Sequence, residues 1–216
     1  MRGTLDVRLY VVTEPSLTPP PRLIESCLAA VRGGATLVQL RDKQATDDEL
    51  LLRAAQLRDV LQPHGVPLVV NDRLDVARKV GIGVHVGVHD VAPVVAREVL
   101  GPAAVVGWSV EDPERMPPEQ LAASSYLAAS PVWVTPTKTD TAHPLGPPGV
   151  AAIRRATDLP LVGIGGINSP ERAAEVIRAG ADGVAVVSAV FGADDPQAAA
   201  ARLRAAVDEA LRGATP

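Results

Sequence analysis

Strand-like and helix-like segments alternate along the whole chain, and this alternation constrains the fold more than any other feature. Arg8–Thr13 predicts a strand and Pro21–Arg32 a helix entered through prolines. Thr36–Leu40 predicts the next strand, and Asp47–Leu61 a helix with Thr46 as its cap and Glu49 three residues on. Pro67–Val70 with Leu74–Val80, and Val84–Val86 with Val91–Leu100, form the third and fourth pairs. Ala104–Trp108 with Pro118–Ala123 forms the fifth. Tyr126–Ala129 and Val150–Ala156 form the sixth, separated by a long stretch rich in Pro, Thr and Gly. Leu161–Ile164 with Pro170–Ala179, and Gly183–Val187 with Pro196–Leu211, complete the series. Ser169-Pro170 reads as a cap followed by a first-turn proline, and Gly180 as a C-cap.

Eight such units in 216 residues, with short strands and short connections, predict a closed barrel of parallel strands. The expected fold is α/β: one (β/α)8 TIM-barrel domain over residues 1–216, with short flexible ends. The chain is 47% apolar but only 2% aromatic, so its core must be Ala, Val, Leu and Ile, as suits a parallel sheet covered by helices. An open, doubly wound sheet is the alternative. Its dinucleotide fingerprint is missing: Gly163-Ile164-Gly165-Gly166 lacks the glycine spacing, and no acidic residue ends the following strand near Val187.

A net charge of -4 with no basic block argues against a general nucleic-acid surface, although local positive charge can still hold phosphate. Cys27 is the single cysteine, which excludes an intramolecular disulfide and a cysteine-based metal cluster; a small buried thiol on a helix is expected. No apolar stretch is long enough to cross a bilayer, and Asp6 and Arg8 interrupt any secretory segment behind Arg2, so a cytoplasmic protein is expected. A homo-oligomer is compatible with the sequence, which does not determine subunit number.

Several expected strands end in polar groups. Arg41 and Lys43 follow Thr36–Leu40, Asn71 and Asp72 follow Pro67–Val70, Asp90 follows Val84–Gly87, and Thr135, Thr137 and Lys138 follow Tyr126–Ala129. In a parallel barrel these ends converge on one mouth. Asp72 and Asp90 would then suit a hard cation such as magnesium, which keeps waters and accepts phosphate oxygens; both could instead be helix caps. Gln39, Arg41 and Lys43 alternate, so all could face the mouth: an amide to read a heteroaromatic ring, two cations to meet phosphate. A solvated turn, with Asp42 between the cations, is the plainer alternative. Gly165 and Gly166 end the seventh strand and Ser188 the eighth, where barrels often form a phosphate cup from backbone amides; Val187 and Ser188 could supply further donors.

In order along the chain, Val38-Gln39-Leu40-Arg41-Asp42-Lys43, Val70-Asn71-Asp72-Arg73, His85-Val86-Gly87, Thr135-Pro136-Thr137-Lys138 and Gly163-Ile164-Gly165-Gly166-Ile167 resemble the thiamine-phosphate synthase family. No single motif suffices; the ordered set, spread over nearly the whole chain, is specific. The resemblance implies an enzyme that couples a hydroxymethylpyrimidine diphosphate to a thiazole phosphate or its carboxylated form. Its products would be thiamine monophosphate and pyrophosphate, with magnesium as cofactor and the two phosphorylated small molecules as partners. It also implies roles. Gln39, Arg41 and Lys43 would hold the pyrimidine diphosphate, with Asn71, Ser109 and Lys138 assisting, and Asp72 and Asp90 would hold the metal. Thr135, Thr137, Gly166, Val187 and Ser188 would hold the thiazole phosphate. Arg41, Lys43, Lys138 and Ser109 are the expected catalytic group.

Departure of pyrophosphate ahead of bond formation needs no protein nucleophile, and the thiazole nitrogen carries a lone pair rather than a proton. Cys27 is therefore given no catalytic part, His64 and His143 are expected on the surface or in loops, and His85 is either a satisfied interior histidine or a support for the site. The chain departs from the family pattern at Val88, where Gln is usual, and at Val134, where Pro is usual. Ala128-Ala129-Ser130-Pro131 also replaces a more glycine-rich strand end, and Gly81-Ile82-Gly83 is one residue shorter than usual. A thiazole phosphate tautomerase would share the barrel and the cup without needing Arg41, Lys43, Asp72, Asp90 and Lys138. A noncatalytic phosphate-binding barrel is the remaining alternative.

Overall fold

Short aliphatic and β-branched runs become strands in the computed structural model, which describes residues 5–135 and 143–214. They are β1 (Leu9–Val12), β2 (Leu37–Leu40), β3 (Leu68–Asn71), β4 (Gly83–Val86), β5 (Val106–Val110), β6 (Tyr126–Ala129), β7 (Leu161–Ile164) and β8 (Gly183–Val186). Each pairs in parallel with the next, and β8 returns to β1 through Leu9 opposite Val184 and Val11 opposite Val186, so the sheet closes into the expected barrel. Parallel strands require a crossover, and helices supply it. These are α1 (Leu23–Arg32), α2 (Asp47–Leu61), α3 (Leu74–Val80), α4 (Pro93–Leu100), α5 (Pro118–Ala123), α6 (Gly146–Ala156), α7 (Pro170–Arg178), α8 (Ser188–Phe191) and α9 (Pro196–Ala214).

Local chemistry sets the helix ends. Thr46 accepts the Glu49 amide while the Glu49 carboxylate takes the Thr46 amide, a reciprocal cap that satisfies two exposed donors. Ser169 caps α7 by accepting the Arg172 amide, with Pro170 in the first turn. Ala179 is the C-cap of α7 and Gly180 follows it at φ 107, a conformation that favours glycine.

Several boundaries shift by one or two residues from expectation, and three differences bear on the site or the topology. β5 runs two residues further, over Val106–Val110, because its ladder with β6 continues to Val110 opposite Ala129. Ser109 is therefore inside the strand instead of beyond it. α6 begins at Gly146 rather than Val150. The short α8 lies between β8 and α9, where no separate helix is expected from the sequence.

Because side chains alternate along a strand, the apolar residues divide into two layers. Leu9, Val11, Val38, Leu40 and Leu127 face outward and pack with helix residues such as Leu57, Ile153, Val176 and Leu203. Cys27 belongs to this outer layer, where burial pushes its thiol up to about 12 and leaves it unreactive. Tyr10, Val12, Leu37, Val69, Tyr126, Ala128, Val162 and Ala185 fill the barrel interior. Both tyrosines of the chain are thus inside the barrel, fully buried, with rings 5.6 Å apart and perpendicular. Gly107 on the neighbouring strand makes the room: a Cβ there would overlap the Tyr126 ring and hydroxyl. Among the described residues no helix is long and apolar enough to cross a membrane.

Gly107→Ala is expected to displace Tyr126 and destabilise the protein by about 1–3 kcal/mol, the usual cost of overpacking a filled core. Urea denaturation measures it, together with the near-ultraviolet dichroism of the tyrosines. An unchanged midpoint and spectrum would show that the interior has slack at this position.

Candidate active site

A cavity of about 350 Å³ opens at the C-terminal ends of the strands. Gln39, Arg41, Lys43, Asn71, Asp72, Asp90 and Ser109 line one part of it. Thr135, Gly166, Val187 and Ser188 line another. Every site residue expected from the sequence that falls among the described residues is therefore on this one cavity; Thr137 and Lys138 lie outside the described residues. Val88 and Val134, the two apolar departures, also line it and are 44% and 80% exposed, so they form part of its rim. His64 and His143 are exposed.

The β2 end is organised by pairing. Arg41 donates from Nη1 to Glu14 at 2.7 Å, and its amide donates to the Thr13 hydroxyl at 2.9 Å, which anchors the residue against the end of β1. Asp42 does not neutralise its neighbours. It accepts Arg53 of α2 at 2.8 Å and the amides of Gln44 and Ala45. The plain solvated turn is thereby excluded for Arg41, whose side chain is only 17% exposed. Lys43 is exposed, and its charge acts on both Asp72 and Asp90.

At the floor of the cavity runs a buried polar chain, and four of its five members, Gln39, Tyr10, His85 and Ser109, line the cavity. The Gln39 amide nitrogen donates to the Tyr10 hydroxyl, and the Tyr126 hydroxyl donates to Tyr10 at 2.9 Å. His85 Nδ1 meets Tyr126 at 2.9 Å and its Nε2 meets the Ser109 hydroxyl at 2.9 Å. With Tyr126 donating to Tyr10, His85 donates from Nδ1, while its Nε2 is held on the Ser109 hydroxyl. Burial holds both tyrosines above their ordinary range, so the two phenols stay protonated. His85 is thus an interior histidine with both nitrogens occupied, supporting the site through Ser109. Tyr10 and Tyr126 are absent from the sequence-based set; their signal was two tyrosines placed in strands of a chain nearly free of aromatics.

Asp72 and Asp90 are not helix caps. Arg73 and Ala92 occupy the N-cap positions of α3 and α4, and neither helix has a side-chain cap. Asp72 instead stands at φ 61, the described non-glycine residue with positive φ, held by its amide on the His85 carbonyl at 3.0 Å. That backbone strain is of the kind found at functional sites. Asp90 accepts the Gly87 amide at 2.7 Å. Burial, reinforced by neighbouring Asp90, pushes the Asp72 carboxyl up to about 6 against the opposing pull of Lys43 and Asn71. For Asp90, partial burial is outweighed by Asp72, the Gly87 amide, Lys43 and His85, so it lies below its usual range. Among the described residues no group of three or more acids, histidines or cysteines surrounds the pair.

The other end of the cavity is built on backbone. Gly165 at φ 100 and Gly166 at φ 68 carry the chain out of β7 through conformations that favour glycine. The loop leaving β6 runs beside them, with the Val132 amide on the Ile164 carbonyl at 2.8 Å and the Trp133 amide on Gly165 at 3.1 Å. Val187 is the N-cap of α8 and Ser188 its exposed first residue. Arg172 also reaches this end from α7, donating from Nη1 to the Gly166 carbonyl at 2.5 Å; its one signal in the sequence is a cation in a first helical turn.

Residues 9–190 match the family described as thiamine monophosphate synthase. The chain is 48% identical over 203 residues to the thiamine-phosphate synthase of Albidiferax ferrireducens, covering 94% of this chain and 92% of that protein. It is 48% identical over 208 residues to that of Xanthobacter autotrophicus, covering 96% and 98%. Among solved structures it superposes on a thiamine phosphate pyrophosphorylase from Pyrococcus furiosus with TM-score 0.83 and 36% identity, covering 96% of this chain and 98% of that one.

The raised Asp72 carboxyl carries a stability cost with a defined pH window. Below 3.8 the folded and unfolded chains both hold the proton and the cost is absent. It grows as pH rises, because the unfolded carboxyl ionises first, and is complete above about 6. Asp72→Asn keeps a residue that tolerates positive φ. In metal-free protein it is expected to add about 1 kcal/mol of stability above pH 6, a figure reduced for solvent screening. The gain should shrink towards pH 4. Thermal midpoints in chelator at both pH values check this; an equal gain at both would assign the effect to something other than charge.

Proposed function

The chain belongs to the thiamine monophosphate synthase family, and on that premise we propose that it joins a hydroxymethylpyrimidine diphosphate to a thiazole phosphate, releasing pyrophosphate and forming thiamine monophosphate. One observation carries the reading furthest. The residues suited to a diphosphate and those suited to a separate phosphate line the same cavity, on either side of a floor that fixes Gln39 and Ser109.

Gln39, its amide pinned on Tyr10, and Ser109, its hydroxyl pinned on His85, orient the aminopyrimidine, with Asn71 beside them. Arg41 and Lys43, with Lys138, hold the diphosphate and meet the charge that develops as it leaves. The bond between the exocyclic methylene carbon and the diphosphate oxygen breaks with both electrons going to oxygen. The electron-rich ring stabilises the cation left on carbon. The lone pair of the thiazole nitrogen then forms the new carbon–nitrogen bond. Its ring is held close by a phosphate bound among Thr135, Thr137, Gly166, Val187 and Ser188. No protein base or nucleophile takes part.

Asp72 and Asp90 fit magnesium. They are adjacent carboxylates at neighbouring strand ends, and each raises or lowers the other's proton affinity. Without a third acidic ligand among the described residues, coordination positions are left for water and diphosphate oxygens. When bound, the ion would offset charge on the leaving pyrophosphate. The reaction is assigned to the cytoplasm, with the two phosphorylated substrates as partners.

Purified protein with magnesium and both phosphorylated halves is expected to yield thiamine monophosphate and pyrophosphate in equal amounts; folded protein giving no product above background would sink the synthase assignment. Asp72→Ala is expected to lower turnover on the order of a hundredfold while thiazole phosphate binding, followed by calorimetry, stays within twofold. Equal loss of that binding would make Asp72 a structural residue.

A further inference from the structure

The thiazole end of the cavity contains a cation that the roles above leave unused. Arg172 stands in the first turn of α7, half-buried, and lines the cavity beside Gly165 and Gly166. Two contacts fix its guanidinium. Nη1 donates to the Gly166 carbonyl at 2.5 Å, and the guanidinium carbon lies 4.9 Å from the centre of the Trp133 ring. Gly166 permits this closure: a Cβ there would fall 2.7 Å from the Trp133 Cβ and 3.4 Å from Arg172 Nη1.

The charge of Arg172 is not offset locally. Arg41, the other arginine on this cavity, is paired with Glu14 at 2.7 Å, whereas Arg172 makes no ion pair among the described residues. Its contact with Gly166 uses one donor of a group that carries several in a planar fork. A phosphate monoester at neutral pH carries between one and two negative charges. The neutral amides of a glycine loop can orient that anion but do not offset it. A guanidinium can do both, and its donors match phosphate geometry. Stacking on Trp133 and the bond to Gly166 also hold the side chain before ligand arrives, which lowers the entropic cost of binding.

We propose that Arg172 binds the phosphate of the thiazole substrate, as the counter-charge of the glycine cup. The proposal rests on that end of the cavity being the thiazole phosphate site. Arg172 also ties the loop after β6 to the loop after β7 through Trp133 and Gly166, so a purely structural role is the rival account.

Calorimetric titration of thiazole phosphate, and of the same thiazole as its free alcohol, into wild type and Arg172→Gln separates the two. A binding role predicts that affinity for the phosphate falls about ten- to a hundredfold, the range for one charge-assisted hydrogen bond. Affinity for the alcohol, and KM for the pyrimidine diphosphate, would move less than twofold. Equal loss for phosphate and alcohol, or no loss for either, overturns the proposal. If Arg172→Gln does not fold, Arg172→Met keeps the aliphatic stem against Trp133 and is judged by the same outcomes. The titration needs no turnover. A protein that binds thiazole phosphate through Arg172 yet forms no thiamine monophosphate would sink the synthase assignment alone. Normal turnover with an unaffected Arg172→Gln would overturn the role of Arg172 alone.

Discussion

The hydrogen-bonded chain from Gln39 through Tyr10, Tyr126 and His85 to Ser109 is the constraint on which the upper half of the barrel depends. A barrel closed by eight short strands must fill its own interior, and aliphatic side chains supply only part of the filling here. Two tyrosines and a histidine fill that space, but each brings a polar atom that is costly to bury alone. Joining those atoms end to end resolves the cost, and among the described residues no buried side-chain polar atom is left without a partner. The same chain ends at Gln39 and Ser109 on the cavity. Interior packing and the placement of two cavity-lining side chains are therefore one arrangement, and glycine at position 107 is its steric condition.

Above that floor the electrostatics are partitioned. On one side cations and carboxylates moderate one another: Glu14 holds Arg41, and Lys43 opposes the repulsion between Asp72 and Asp90. On the other side backbone dominates, with glycines in left-handed conformations and Arg172 stacked on an indole. The first arrangement suits an anion that arrives with a metal, the second a simple phosphate ester. Barrel topology keeps them apart, because one is built on β2–β4 and the other on β6–β8.

Much of this was legible in the sequence because it is local or periodic. The eight units, the Thr46–Glu49 cap and the Ser169-Pro170 start follow from residue spacing. Polar residues at strand ends announced the cavity because parallel strands all end on one face. The open choices were those that local spacing leaves undecided. Whether Asp72 and Asp90 cap helices depended on where α3 and α4 begin, and they begin too late for capping. The Tyr10–Tyr126 pairing spans 116 residues and arises only from strand register and the gap at Gly107. Glu14 meets Arg41 only because β1 and β2 lie side by side, and Arg172 meets Gly166 only through the turn that joins β7 to α7; spacing alone shows neither.

Closure also makes the barrel a ruler. The strands rise about 3.3 Å per residue, and pairing such as Val38 opposite Leu68 or Val162 opposite Gly183 ties each rim position to its neighbours. The spacing of the strand ends from which the cavity's loops depart is consequently a property of the sheet. Substitutions in the loops reshape the cavity without moving those ends. Moving a strand end takes a slip in register, and a one-residue slip would turn that strand's interior side chains outward. A scaffold of this kind can vary its loops while the points from which they start stay fixed.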